Sequence, residues 1–377
     1  MGGEDTDIAV APEKNAKGFY NVYVTSLWIG ASDLAVSQDG GATWTEYQLA
    51  GSPIQDRAWL AASGPCTVYM SYHQIAPTYD TIVDRYDVCT AGRPVPTGIA
   101  TALDPVSSAD AFTGGGAPGL TNRHGKLIVD NSPTSPFRGN IYQPMDVCRN
   151  NLDPANPEIQ AAGCTTKSEI IMAVSTDGGL TYQDYKVADT GTKNVYIWPV
   201  TVASDDAGNV YTAWFDTGVA YLNVSHDGGK TWSPSLRLND TGSAVYPTVA
   251  AHGTGEVFVA WYGTDRDGDS YDVGVMGQPN KKNAAQWHLY AARSADGGRS
   301  FVTSVATGVI HTGVLCPNGG GCGTYAGDRN LLDDFGVQIN PVTGLASVIF
   351  SNDQPGGTSG KVHTDFAKEL PPADQAQ

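Results

Sequence analysis

The stretch SHDGGKTW at residues 225–232 has near-copies at 37–44 (SQDGGATW), 175–182 (STDGGLTY) and 294–301 (SADGGRSF). Each copy stands between runs of alternating apolar residues. Asp-Gly-Gly in that setting signals a tight hairpin turn: glycine takes positive φ at little steric cost, and the aspartate accepts hydrogen bonds from the turn's own N–H groups. The Ser and Thr hydroxyls are placed to brace the same turn, and the closing aromatics Trp44, Tyr182, Trp232 and Phe301 to plug it from beneath. The octad reads as a folding device, and its recurrence asks for the larger unit that contains it.

A second pattern supplies that unit. An apolar strand, a Gly or Asn turn and a second strand ending in an aromatic recur at 6–28, 56–73, 116–132, 197–216, 245–263 and 334–353. The first, third, fourth and fifth units continue into a third strand, the octad and a fourth strand, whereas the second and sixth lack the octad. The segment 133–165 is rich in Pro, Asn and Cys and reads as a long loop. A four-stranded antiparallel unit recurring roughly every 45–70 residues is a propeller blade, so the expected fold is an all-β, six-bladed β-propeller. It would occupy residues 1–370 as one domain, with 371–377 as a C-terminal tail.

Composition narrows the partners. Among 377 residues, 39 acids face 22 bases, for a formal net charge of −17. That balance argues against nucleic acid and anionic membranes and suits neutral or cationic partners and metal ions. No apolar run reaches the length of a membrane span. The six cysteines fall into three sequence-near pairs, Cys66/Cys89, Cys148/Cys164 and Cys316/Cys322, outside any metal-ligand spacing. Three local disulfides are expected, and with them a secreted, extracellular protein whose signal peptide is not part of this sequence. A monomer is expected.

The octads match the Asp-box pattern Ser-x-Asp-x-Gly-x-Thr-Trp, and with six four-stranded blades the chain resembles the sialidase superfamily and its sialidase-like relatives over residues 5–366. The resemblance implies Asp boxes on the blade rim, away from the active site. It also implies a set of arginines, a nucleophilic tyrosine and an acid/base aspartate. Arg57 sits in a suitable unit, Tyr325 lies where the nucleophilic tyrosine would fall, and Arg293 is placed to mimic a second arginine. Trp198 and Trp214 stand where the family has Glu and Arg, and the aspartates expected beside Arg57 would repel a sialate carboxylate. A neutral sugar is therefore the expected substrate.

Functional residues are sought where the innermost strands begin. Those positions are Thr6 and Asp7; Asp56, Arg57 and Trp59; 114–117; Trp198; Tyr246; and Asp333, Asp334 and Phe335. Glycosidic hydrolysis needs a protonated carboxyl to donate to the leaving oxygen and a second group at the anomeric centre. Asp56 or Asp7 is the candidate acid/base, Asp334 its partner, and Trp59, Trp198, Tyr246 and Phe335 are candidate stacking platforms. The acids Asp265, Asp267, Asp269 and Asp272 in GTDRDGDSYDVG have the spacing of a loop that gathers oxygens around a hard cation, so Ca²⁺ is the candidate ion. The chemistry itself is expected to need no cofactor. Two other classes fit the same features: a non-catalytic propeller that binds a glycan or protein, and a propeller enzyme of other chemistry, such as a polysaccharide lyase or a metal-assisted hydrolase.

Overall fold

Each of the four octads closes the outer hairpin assigned to it in a computed structural model, which describes residues 4–28, 31–49, 55–74, 81–91, 93–102, 123–147, 169–190, 200–317, 324–331, 335–354 and 361–371. Blade 1 is β1 (Glu4–Lys14), β2 (Tyr20–Trp28), β3 (Ala31–Ser37) and β4 (Thr45–Gln48), paired in that order. Blade 2 is β5 (Gln55–Ser63), β6 (Thr67–Gln74), β7 (Thr81–Asp87) and β8 (Val95–Thr101). In blade 3 the inner strand is split into β9 (Arg123–His124) and β10 (Ile128–Val129), followed by β11 (Ile141–Val147), β12 (Glu169–Ser175) and β13 (Gln183–Asp189).

Blade 4 is β14 (Thr201–Ser204), β15 (Val210–Asp216), β16 (Val219–Ser225) and β17 (Leu236–Arg237). Blade 5 is β18 (Ala244–His252), β19 (Glu256–Thr264), β20 (Gln286–Ser294) and β21 (Val302–Val305), with β22 (His311–Thr312) added on β20. Blade 6 shows β23 (Gly336–Ile339), β24 (Ala346–Asn352) and β25 (His363–Lys368) among the described residues. One short helix, α1 (Val273–Met276), interrupts blade 5. The fold is the expected six-bladed β-propeller.

The octad turns work as their sequence dictates. In blade 3 Asp177 accepts from the N–H groups of Leu180 and Thr181 (3.0 Å each) and from the hydroxyls of Ser175 (2.8 Å) and Thr181 (2.6 Å). Asp296 repeats the set with Arg299, Ser300 and Ser294, while Asp39 holds Thr43 twice and Ser37 once. Both glycines of each turn have positive φ, for example +75° and +85° at Gly178 and Gly179. A Cβ on Gly179 would stand 2.9 Å from Tyr69 of the preceding blade, so the second glycine also permits close docking. The aromatic plug holds for Tyr182 and Phe301, which pack on apolar clusters. Trp44 is instead 45% exposed, and its indole N–H donates to Gly41 O at 3.1 Å.

Two features of the ladder depart from expectation. Residues 141–147, inside the segment read as a loop, form the second strand of blade 3. Pro144 disguised it, because proline cannot donate to a central ladder. The Pro144 carbonyl accepts from Gly125 N at 3.0 Å, so its missing N–H faces the break between β9 and β10. Gln143, fully buried, fills the gap by donating to Gly125 O at 2.8 Å. In blade 2 a disulfide stands where the octad would be. Cys66 lies in the turn between β5 and β6, Cys89 follows β7, and the two are bonded. Blade 5 joins the same two turns by a hydrogen bond, Gly297 N to Gly255 O at 2.9 Å. Cys316 is also disulfide-bonded, to a cysteine outside the described residues, where the Cys148/Cys164 pair lies too.

The chain divides into two compact units. The first, residues 1–195 with 226–232, holds blades 1 to 3 and the blade 4 octad, whose Gly229 closes on Tyr142 and Val174. Its cores are the seams between successive blades: Tyr23, Leu34, Leu60, Met70 and Tyr72 in one, Ala61, Val83, Leu127, Ile141 and Ile171 in the other. The second unit, residues 196–225 with 233–377, holds the rest of blades 4 to 6. Tyr211, Leu222, Val257 and Trp261 form one of its seams, and Tyr262, Trp287, Leu289, Val348 and Phe350 the other. Burial is thus between neighbouring blades, as in other architectures whose repeats contact only their neighbours.

Candidate functional site

Strand direction orients the blades. In each octad-bearing blade the first strand runs away from the end where it starts, the second returns, and the third runs out again to the octad. The octads therefore lie at the end opposite the starts of the inner strands, and the two ends offer different chemistry.

In the first unit the starts of three inner strands meet. Asp7 Oδ1 on β1 lies 2.6 Å from Lys126 Nζ, between β9 and β10, and Asp7 Oδ2 accepts from Leu60 N on β5 at 2.7 Å. Asp7 is therefore a largely shielded carboxylate engaged on both oxygens. On β5 the ladder bulges between Asp56 and Trp59, and Arg57 within the bulge has φ +59°. A left-handed arginine costs on the order of 1 kcal/mol and, like the bulge, re-aims the side chains around it. His124 is fully buried and its Nε2 lies 3.0 Å from Arg57 O; a carbonyl only accepts, so Nε2 carries the proton. The His73 ring lies 6.4 Å from that of His124. Burial, with His73 beside it, holds the His124 imidazole down at about 3 against the opposing hydrogen bond to the Arg57 carbonyl. Trp59 is half-buried against the seam between blades 2 and 3.

The second unit shows the same strand device in blade 5. Its ladder shifts between Val245 and Thr248, and Tyr246 there has φ +54°. Tyr246 nevertheless sits in the core: it is 2% exposed, meets Phe215 and Tyr262 edge-on, and donates to Cys316 O at 3.0 Å. Its faces are closed to a sugar. Phe335 stacks on Tyr262 with ring centroids 4.6 Å apart and stays partly open. Tyr325 is half-buried beside Tyr271, at 6.4 Å.

Arg293 belongs to the other end of the blade. It lies one residue before the octad and bonds Glu256 (2.8 Å), Glu369 (2.7 Å) and Gly344 O (3.0 Å). It ties blade 5 to blade 6 and is placed away from the strand starts. The four loop aspartates do not converge either; among the described residues no three His, Cys, Asp or Glu side chains form a metal-holding group. Asp267 accepts from Gly242 N, Asp269 from Tyr271 N, and Asp272 from Gly274 N as the cap of α1, while Asp265 takes the Thr264 hydroxyl. Those carboxylates brace the loop and, through Asp267, tie it to the connector before β18. The Asp56 side chain, Trp198, Asp333, Asp334 and 114–117 lie outside the described residues.

Four residues at the strand starts escaped the sequence reading: Lys126, His73, His124 and Tyr271. Lys126 stands in a short turn, RHGKLIVD, where lysine is the commonest of solvated residues. Only the packing of β1 beside the inner strands of blades 2 and 3 brings it to Asp7.

The BNR/Asp-box repeat model matches residues 224–234. No curated protein matches the sequence. Among solved structures, a protein of unknown function from Dyadobacter fermentans is 13% identical, with 96% of this chain and 93% of that one covered, at a TM-score of 0.49. Trypanosoma rangeli sialidase, in complex with sialic acid, is 13% identical over 96% of this chain and 53% of its own, at 0.47. The six-bladed lectin of Aleuria aurantia is 11% identical over 98% and 97%, at 0.46. Octads, blades and strand order together define the class: this is a six-bladed β-propeller that carries Asp-box repeats.

Proposed function

We propose that the protein acts on carbohydrate, as a glycoside hydrolase whose site lies where the inner strands of blades 1 to 3 begin, at the end opposite the Asp boxes. The observation that carries this reading is the bulge at Asp56–Trp59. Asp56, Arg57 and Trp59 fall within four positions of that inner strand, with Asp56 paired to the half-buried His73 and Arg57 O bonded by the buried His124. Strain of this kind persists where surrounding structure over-determines it, which favours a functional role. Asp56 is the general acid/base in this reading, Arg57 orients the substrate, and Trp59 is its apolar wall. Asp7 is assigned to holding the strands, since both its oxygens are engaged. The Cys66–Cys89 disulfide supports an oxidising, extracellular location.

A panel of chromogenic glycosides, neutral and sialylated, tests the reading with Asp56→Asn alongside the parent. Turnover of a neutral glycoside that Asp56→Asn abolishes is the expected result. Unchanged turnover in Asp56→Asn would remove the assignment. Absence of turnover with retained sugar binding would favour the second reading, a glycan-binding propeller, to which the full engagement of Asp7 lends support.

A further inference from the structure

The loop read from sequence as a cation site does something else in the structure: it delivers Tyr271 to Tyr325. The loop leaves β19 at the inner-strand end of blade 5, and the connector carrying Tyr325 reaches the start of β23 at the same end of blade 6. Hydrogen bonds fuse the two segments into one surface. Leu315 N donates to Ser270 O at 2.8 Å, and Cys316 N to Asp328 O at 2.8 Å. Asp328, 2% exposed, accepts from the Tyr271 hydroxyl at 3.0 Å and from Tyr325 N at 3.2 Å through the same oxygen. One buried carboxylate therefore fixes both the tip of Tyr271 and the backbone of Tyr325.

The two rings meet edge to face, 6.4 Å apart and inclined at 65°. Both are half-buried, each resting one side on the core between blades 5 and 6. Two half-exposed aromatic rings held in fixed orientation offer the flat apolar surface on which the C–H face of a sugar ring packs. The rim is acidic: Asp269 and Asp272 are exposed on either side of Tyr271, with Arg329 exposed beside Asp328.

We propose that Tyr271 and Tyr325 form a carbohydrate-stacking subsite that takes one neutral sugar ring, with Asp328 as the residue that positions the pair. The subsite rests on the carbohydrate reading given above. It reassigns the Asp-rich loop, whose carboxylates brace the loop and set the charge at its rim, so that neutral glycans are accepted and uronate polymers repelled.

Affinity electrophoresis tests this with neutral polysaccharides (arabinan, xylan, barley β-glucan) and acidic ones (alginate, polygalacturonate) cast into the gel. Tyr271→Leu and Tyr325→Leu keep apolar volume but lose the flat ring, and each should weaken retardation by a neutral polymer about tenfold. Tyr271→Phe keeps the ring and loses the bond to Asp328; its binding should fall by less, with the thermal midpoint of every variant recorded. Asp269→Lys should leave neutral binding in place and bring acidic polymers within reach. Retention of full neutral binding by both leucine variants would overturn the subsite while leaving the carbohydrate reading standing. Failure of the parent protein to bind any of the five polymers would overturn both. Should Tyr271→Leu fail to fold, Tyr325→Leu and Tyr271→Phe decide the matter alone.

Discussion

Asp7 and Lys126 are joined across 119 positions of sequence by a 2.6 Å ion pair, the aspartate on the inner strand of blade 1 and the lysine in the break of the inner strand of blade 3. Leu60 of blade 2 donates to the second aspartate oxygen, so one carboxylate holds three inner strands. Lys126 is 40% exposed and Asp7 9%, which places the pair between a surface salt bridge and a buried one. A double-mutant cycle of Asp7→Asn and Lys126→Met, read by urea unfolding, should give a coupling of about 1–2 kcal/mol. A coupling near zero would show the pair to be incidental to stability.

His124 predicts an acid-labile seam between blades 2 and 3. Its folded value, about 3, lies below the ordinary histidine value of about 6.5, so the unfolded chain binds the proton more readily. The stability it contributes is complete above pH 6.5 and is lost progressively as pH falls from there towards 3. Over that window the loss should be on the order of 3–5 kcal/mol. His73 faces the same imidazole and adds to the effect, while the hydrogen bond to the Arg57 carbonyl opposes it. Thermal midpoints recorded from pH 7.5 to 3.5 should fall more steeply for the parent than for His124→Gln. Parallel curves would refute the assignment.

The Asp boxes titrate in a lower window. Hydrogen bonds from Thr43 and Ser37 hold the Asp39 carboxyl down at about 2; at Asp177 burial opposes the shift, but Thr181, Ser175 and Leu180 hold it at about 2 as well. Depressed carboxylates contribute stability that is present above about pH 4 and lost as pH falls to about 2. Asp177→Asn, which forfeits the charge, should lower the midpoint at neutral pH by ~2–4 °C. The difference from the parent should shrink when both are measured near pH 2.5.

Arg57 should exchange stability for function. Glycine takes φ near +59° freely, so Arg57→Gly relieves backbone strain on the order of 1 kcal/mol while deleting the guanidinium. The variant should unfold at the same temperature as the parent or higher, and show no turnover on any glycoside that the parent cleaves. A stable and fully active Arg57→Gly would remove arginine from the site.

Much of this architecture was legible in the sequence, for a physical reason: turns are local. Asp-Gly-Gly, its flanking hydroxyls and the strands on either side are set by residues within eight positions of one another, so four blades announced themselves. The strand at 141–147 was hidden because Pro144 obeys a local rule, no donor in a central ladder, that a distant break between His124 and Ile128 suspends. The site was less legible because it depends on which strands are neighbours. Lys126 reaches Asp7 only through the stacking of three blades. Tyr246 and Trp59 carry similar aromatic bulk at the starts of inner strands, yet one is core and the other half-open. The aspartates of the 263–274 loop have a metal-like spacing, and nothing local in the sequence says that backbone N–H groups will claim them first.

The disulfide of blade 2 gives the molecule fastenings of two kinds. Where four blades fasten the outer turn with a carboxylate, blade 2 uses a covalent bond that protons leave untouched and thiols can cut. Acid and reductant should therefore act on these outer turns differently: low pH loosens the turns held by Asp39, Asp177 and Asp296 and leaves the outer turn of blade 2 closed, while a reductant opens that turn and leaves the octad turns intact. In an acidic, oxidising setting the outer turn of blade 2 stays closed while its carboxylate counterparts loosen; in a reducing one the order reverses.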